Sequence, residues 1–132
     1  MNTKDFENVL KEALADIEGT LNVKAGQYQN GEDRLSNFKR AAATLQQSPQ
    51  RALIGMLAKH DVCLLDMVEN LEKGRLFPLS RWREVLIDSI NYRILLLAMM
   101  SELFENLKKA QDAKVEDEAE KKDLDTEPAD KL

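Results

Sequence analysis

The sequence predicts an all-α fold: a four-helix bundle-like domain followed by a disordered acidic C-terminal tail. Apolar residues recur at steps of three and four in four segments, and no alternation of apolar and polar residues is long enough for a strand. Aromatic residues make up only 5% of the 132 residues, so the core must consist of Leu, Ile, Val, Met and Ala, which suits helices. Four helices with short connections are typical of a bundle.

Local signals predict where these helices begin and end. The predicted helices are approximately 3–24, 32–46, 49–73 and 81–109. Ser48 is expected to cap the third helix, with Pro49 in its first turn, because proline lacks the N–H that a first turn leaves unpaired. Gly74 is expected to end this helix, and Ser80 to cap the fourth.

The charge is concentrated at the C-terminal end. The formal net charge is −5, and residues 114–131 hold eight acidic residues against four lysines, which contributes −4. The periodic apolar pattern stops beyond Ala113, so we expect a helical domain over residues 1–112 and a mostly disordered acidic tail over 113–132. Because no broad basic surface remains, general DNA binding is not expected.

The composition also limits the cellular setting. The single cysteine, Cys63, cannot form an internal disulfide, and the first residues lack the apolar region of a signal peptide. The longest apolar run, from Ile94 to Met100, is too short to cross a bilayer. These features predict a cytoplasmic protein without a membrane anchor.

The fourth helix is apolar on nearly all sides, which is unusual for a small domain. Two neighbouring helices cannot cover it completely, so we expect a homodimer or a higher oligomer. One narrow polar stripe interrupts it: Glu84, Asp88 and Asn91, with Tyr92 beside them. Burying carboxylates is costly unless they are paired or bind a ligand, so the stripe either forms salt bridges with other helices or faces a site.

The third helix offers possible partners for that stripe. Lys59, Asp66 and Glu69 share one side of it, whereas His60 and Asp61 flank its apolar stripe. A histidine beside a core stripe is more often a hydrogen-bonded core residue than a ligand, but His60 adjoins both a lysine and an aspartate.

Three clusters of residues carry a resemblance to a known family. They are Lys24-Ala-Gly-Gln-Tyr28 with Asp33-Arg34-Leu35-Ser36-Asn37-Phe38, then Lys59-His60 with Asp66-Met67-Val68, and Trp82-Arg83-Glu84 with Asp88-Ser89-Ile90-Asn91-Tyr92. In this order, over roughly residues 20–100, they resemble the phage-encoded nucleotide-modification-associated domains of the first type. The resemblance implies a host-cytoplasmic phage protein with a role near nucleotide chemistry.

Given this resemblance, we expect a nucleotide-binding protein that is not an enzyme, such as one that sequesters a nucleotide or a cyclic-nucleotide signal in counter-defence. Such a site needs positive charge for phosphate and aromatic rings for the base. The candidate ligand-binding residues are Lys24, Tyr28, Arg34, Asn37, Phe38, Lys59, His60, Trp82, Glu84, Asp88, Asn91 and Tyr92. No cofactor is expected in this case.

Two alternatives remain open. The chain is also distantly similar to the all-α nucleoside triphosphate pyrophosphohydrolases of the MazG and dimeric dUTPase type, which hold Mg²⁺ through two carboxylate pairs. The corresponding residues here are Asp66 with Glu69 and Glu84 with Asp88, although the second pair is one residue too long. The other alternative is a helical adaptor that binds a host protein through its apolar fourth helix.

Overall fold

A computed structural model confirms the all-α, bundle-like fold. It describes residues 1–28 and 33–126, with the side chains of 24–28 left out, and this part of the chain contains four helices and no β-strand. The helices are α1 (Thr3–Tyr28), α2 (Ser36–Thr44), α3 (Pro49–Glu72) and α4 (Leu79–Asp125). The chain divides into two compact units, Met1–Met99 and Met100–Leu132.

The ends of α3 are those that the sequence predicts. The Ser48 side chain accepts a hydrogen bond from the Arg51 amide at 3.1 Å, and Pro49 occupies the first turn. At the other end, Gly74 has a φ of 80°, and the Gly74 and Arg75 amides donate to the carbonyls of Leu71 and Asn70. This pair of bonds is the Schellman ending, which glycine adopts without steric cost.

α1 begins at Thr3 as predicted, but it extends to Tyr28, and the ends of α2 and α4 also differ from the predictions. α2 is shorter than predicted because Asp33 forms a turn before it, with its carboxylate accepting from the Leu35 amide at 2.9 Å and from Lys39 at 2.8 Å. These two hydrogen bonds hold the pKa of Asp33 below its ordinary value. Ser80 is not a cap: α4 begins at Leu79, and the Pro78 carbonyl accepts from the Arg81 amide at 2.9 Å.

The apolar core lies where α2, α3 and α4 meet. Leu35, Leu53 and Met99 form a buried cluster, against which Phe38, Tyr92, Leu95 and Leu96 pack. Further buried apolar side chains extend this contact: Ala42, Ala52, Leu57, Met67, Val85 and Ile87. Nine apolar side chains are buried among the residues whose side chains the structure describes, and many others on the same helices are exposed.

In the second unit of the chain, Met100–Leu132, α4 continues to Asp125, well beyond the predicted helix end near Lys109. Residues 113–125, predicted to be mostly disordered, are helical here, and every described side chain from Leu103 onward is exposed. Good helix formers (Ala, Glu, Lys, Leu) and the pair between Lys121 and Asp117 at 3.2 Å support helix without tertiary packing. Residues 127–132 lie outside the described part. No helix of the described chain is long and apolar enough to cross a membrane.

Deleting residues 114–132 tests whether this exposed helix contributes to folding. Since its described side chains are all exposed, we expect the melting temperature to change by less than about 3 °C. Thermal unfolding followed by circular dichroism measures this change. A larger fall would show that the segment packs against another part of the protein.

Candidate functional site

Asn91 of α4 is a buried polar residue that indicates a possible ligand-binding site. Its side chain is only 3% exposed, and its Nδ2 donates to Thr20 Oγ1 of α1 at 2.7 Å. Its Oδ1 is buried and has no hydrogen-bond partner among the described residues. A buried polar atom without a partner costs about 1–3 kcal/mol, so this acceptor calls for an explanation.

The surrounding bonds determine which chemistry this acceptor offers. The Thr20 hydroxyl donates to the Asp16 carbonyl at 2.7 Å, so its lone pair is what faces Asn91. The Asn91 NH₂ group therefore donates to Thr20, and the side-chain carbonyl oxygen of Asn91 is the atom without a hydrogen-bond partner among the described residues. A ligand that completes this contact must bring an N–H or O–H donor.

Arg34 approaches the same turn of α1. Its guanidinium donates to the Leu21 carbonyl at 2.7 Å, and Leu21 directly follows Thr20. Arg34 is exposed, and its guanidinium has further N–H groups besides the one that donates to Leu21. The structure thus brings a predicted cation and a predicted base-reading amide to neighbouring residues of α1.

Aromatic side chains lie on the α3 side of this region. Phe38 and Tyr92 both pack against the Leu35–Leu53–Met99 cluster. The His60 and Tyr92 rings are 5.0 Å apart and tilted by 40°. Asn37, also predicted, is half-buried near the start of α2.

Several predicted residues are not part of this arrangement. Lys59, Asp66 and Glu69 are exposed on α3. Trp82 is half-buried, and Glu84 is exposed and pairs with Arg81 at 3.0 Å within its own helix. The side chains of Lys24 and Tyr28 lie outside the described residues.

The four carboxylates of the magnesium alternative do not form a cluster in the described parts of the chain. Asp66, Glu69 and Glu84 are exposed and Asp88 is half-buried. No group of three or more His, Cys, Asp or Glu residues in residues 1–28 and 33–126 is close enough to share a metal ion.

The sequence did not predict the ion pairs that two arginines of α4 form with other helices. Arg83 of α4 donates to Glu12 at 2.6 Å and to Asp16 at 2.6 Å, which holds the pKa of Arg83 above its ordinary value. Arg93 of α4 donates to both Asp61 oxygens, at 3.1 and 3.3 Å. In the sequence, these contacts are indicated only by two acids four residues apart on α1, Glu12 and Asp16, and by the position of Asp61 beside an apolar stripe.

The comparisons with known proteins leave the family open. A scan against family models, a search of curated proteins and a search of solved structures each found no match. The described residues thus define an all-α protein in which α1 meets α4 through buried and ionic polar contacts.

The hydrogen bond between Thr20 and Asn91 can be tested with one matched pair of substitutions. Thr20→Val leaves the Asn91 amide with no partner, so we expect the free energy of unfolding to fall by about 1–3 kcal/mol. Thr44→Val is the control, because the Thr44 hydroxyl also donates to the carbonyl four residues earlier but is exposed. We expect it to change stability by less than about 0.5 kcal/mol. Urea unfolding measures both values, and equal effects would contradict the assigned role of Thr20.

Proposed function

We propose that this chain is a non-catalytic nucleotide-binding protein. The observation that carries the proposal is the buried Asn91 Oδ1, which lacks a partner among the described residues and lies beside the turn of α1 that Arg34 contacts. A nucleotide has the two groups that such a pair recognises: an anionic phosphate and a base edge that carries N–H donors.

Each residue has a distinct role in this proposal. Arg34 holds the phosphate, because a guanidinium presents several N–H groups in one plane to phosphate oxygens. Asn91 accepts a hydrogen bond from an amino or imino group of the base, which removes the cost of its unpaired oxygen. Lys24 and Tyr28, which follow on α1, remain sequence-based candidates for the same ligand, and their side chains lie outside the described residues.

The resemblance to phage nucleotide-modification-associated domains gives this binding a biological use. A protein that holds a nucleotide without converting it removes that nucleotide from solution. For a phage, a cyclic or modified nucleotide that signals infection is a suitable target. Sequestration of such a signal in the host cytoplasm, as counter-defence, is the form of the function that we propose.

The adaptor alternative has its own supporting observation. Large apolar side chains are exposed on α1, α3 and α4, including Phe6 at 59%, Leu65 at 63% and Leu97 at 67%. Exposed apolar patches on small proteins commonly mark binding surfaces for other proteins. A helical adaptor therefore remains the second candidate.

Arg34→Ala tests the proposed phosphate contact. We expect wild-type protein to bind at least one member of a panel of nucleoside mono-, di- and triphosphates and cyclic nucleotides in calorimetry. Loss of one charge-assisted contact weakens binding about tenfold or more. Arg75→Ala is the matched control, since Arg75 is also exposed and makes one weak contact, to Asn70 at 3.5 Å. Mass spectrometry of ligand released from purified protein identifies a nucleotide that the panel lacks. If neither method detects a nucleotide, the proposal is wrong and the adaptor is favoured.

Asp88→Asn separates binding from magnesium-dependent hydrolysis. Asp88 lies one turn before Asn91 on α4 and is half-buried. If the chain only binds, the change weakens affinity by about 1–3 kcal/mol, equally with Mg²⁺ and with a chelator. If it hydrolyses, pyrophosphate release requires Mg²⁺ and falls by orders of magnitude. We expect the first result, and pyrophosphate release by the wild type would overturn the non-catalytic proposal.

A further inference from the structure

An exposed apolar surface lies on α3, away from the buried cluster. Ile54, Leu65 and Val68 are 47%, 63% and 43% exposed. Ile54 precedes Asp61 by seven residues, and Leu65 follows it by four. At this helical spacing the three side chains share one side of α3.

A matching surface lies on α4. Leu86, Ile90 and Leu97 are 44%, 37% and 67% exposed. Leu86 precedes Arg93 by seven residues, and Leu97 follows it by four, which repeats the spacing found around Asp61. The same side of α4 therefore carries Arg93 and this second set of apolar side chains.

The ion pair between Asp61 and Arg93 joins the two surfaces. The shorter of its two contacts is 3.1 Å, and Arg93 also donates to the carbonyl of Ser89. Because this pair fixes the adjacent edges of α3 and α4, the six apolar side chains form one surface around it. We call it the α3–α4 face: Ile54, Leu65, Val68, Leu86, Ile90 and Leu97, with Asp61 and Arg93 at its centre.

We propose that a second copy of this chain covers the α3–α4 face, related to the first by a twofold axis near the Asp61–Arg93 pair. The distribution of charge favours an identical partner. Arg51 and Glu72 are exposed at opposite ends of α3 and are about equally far from Asp61 along the helix. An antiparallel copy places each Arg51 near Glu72 of the other chain. At the centre, each Asp61 keeps Arg93 of its own chain as its partner, so the charges that meet near the axis are already neutralised.

The available area is sufficient for such a dimer. The six partly exposed apolar side chains offer about 400 Å² per copy. Because about 65% of a homodimer interface is apolar, a symmetric pair built on this face buries about 1,200 Å² in total, at the lower end of the range of stable interfaces. This inference does not depend on nucleotide binding.

Sedimentation velocity of the full chain at 1–100 µM, without nucleotide, tests the proposal. We expect a species of twice the 15.0 kDa chain mass. Leu65→Glu places a charge in the face and raises the dimer dissociation constant at least tenfold. Leu45→Glu is the matched control, because Leu45 is also 63% exposed but ends α2, and we expect it to leave the dimer unchanged.

A charge exchange tests the twofold arrangement itself. Arg51→Glu alone weakens the dimer, and adding Glu72→Arg restores it, because both ion pairs reform with reversed sign. These changes place an acid at the start of α3 and a base at its end, which favours the helix, so folding is preserved. Circular dichroism checks this for each variant. A monomer at 100 µM, a dimer unaffected by Leu65→Glu, or no restoration by the double change would overturn the proposal.

Discussion

The position of α1 depends on polar contacts with α4, and this distinguishes it from the other helices of the first unit. Asn91 binds Thr20, and Arg83 bridges Glu12 and Asp16. Polar contacts have strict directions, and a buried one is costly when incomplete. The attachment of α1 therefore specifies a register along α4, whereas the contacts among α2, α3 and α4 are mainly apolar.

The small core has a direct consequence for function. Leu53 is completely buried, but its neighbour Ile54 is 47% exposed, and the same contrast recurs along α4 between Val85 and Leu86. A helix that is apolar on opposite sides needs a partner on each side, and the described residues leave Ile54 and Leu86 partly exposed. Both helices therefore keep apolar surface that another molecule can cover.

Local sequence signals predicted the ends of α3 because Ser48 and Gly74 act within one turn of their own helix. Periodicity also predicted that α4 is apolar on nearly all sides. It did not resolve the Glu84–Asp88–Asn91 stripe, whose members are exposed, half-buried and buried in turn. The partners of Arg83 are 67 and 71 residues away, and no local pattern indicates them. Arg34 and Asn91 were predicted as ligand-binding residues, but their approach to one turn of α1 depends on the fold.

The proposed nucleotide site and the proposed α3–α4 face use different sides of α4. Asn91 points to α1, whereas Leu86 and Leu97 lie roughly 120–140° around the helix from it. A second copy on the α3–α4 face therefore does not cover the side of α4 that carries Asn91, and a symmetric dimer has two such sites. Self-association and ligand binding are thus compatible in one chain. The two are also physically linked, because Asn91 and Arg93 are neighbours on α4: a ligand that fixes the Asn91 amide restrains the same turn that carries the centre of the face. Any coupling between binding and assembly must pass through that turn.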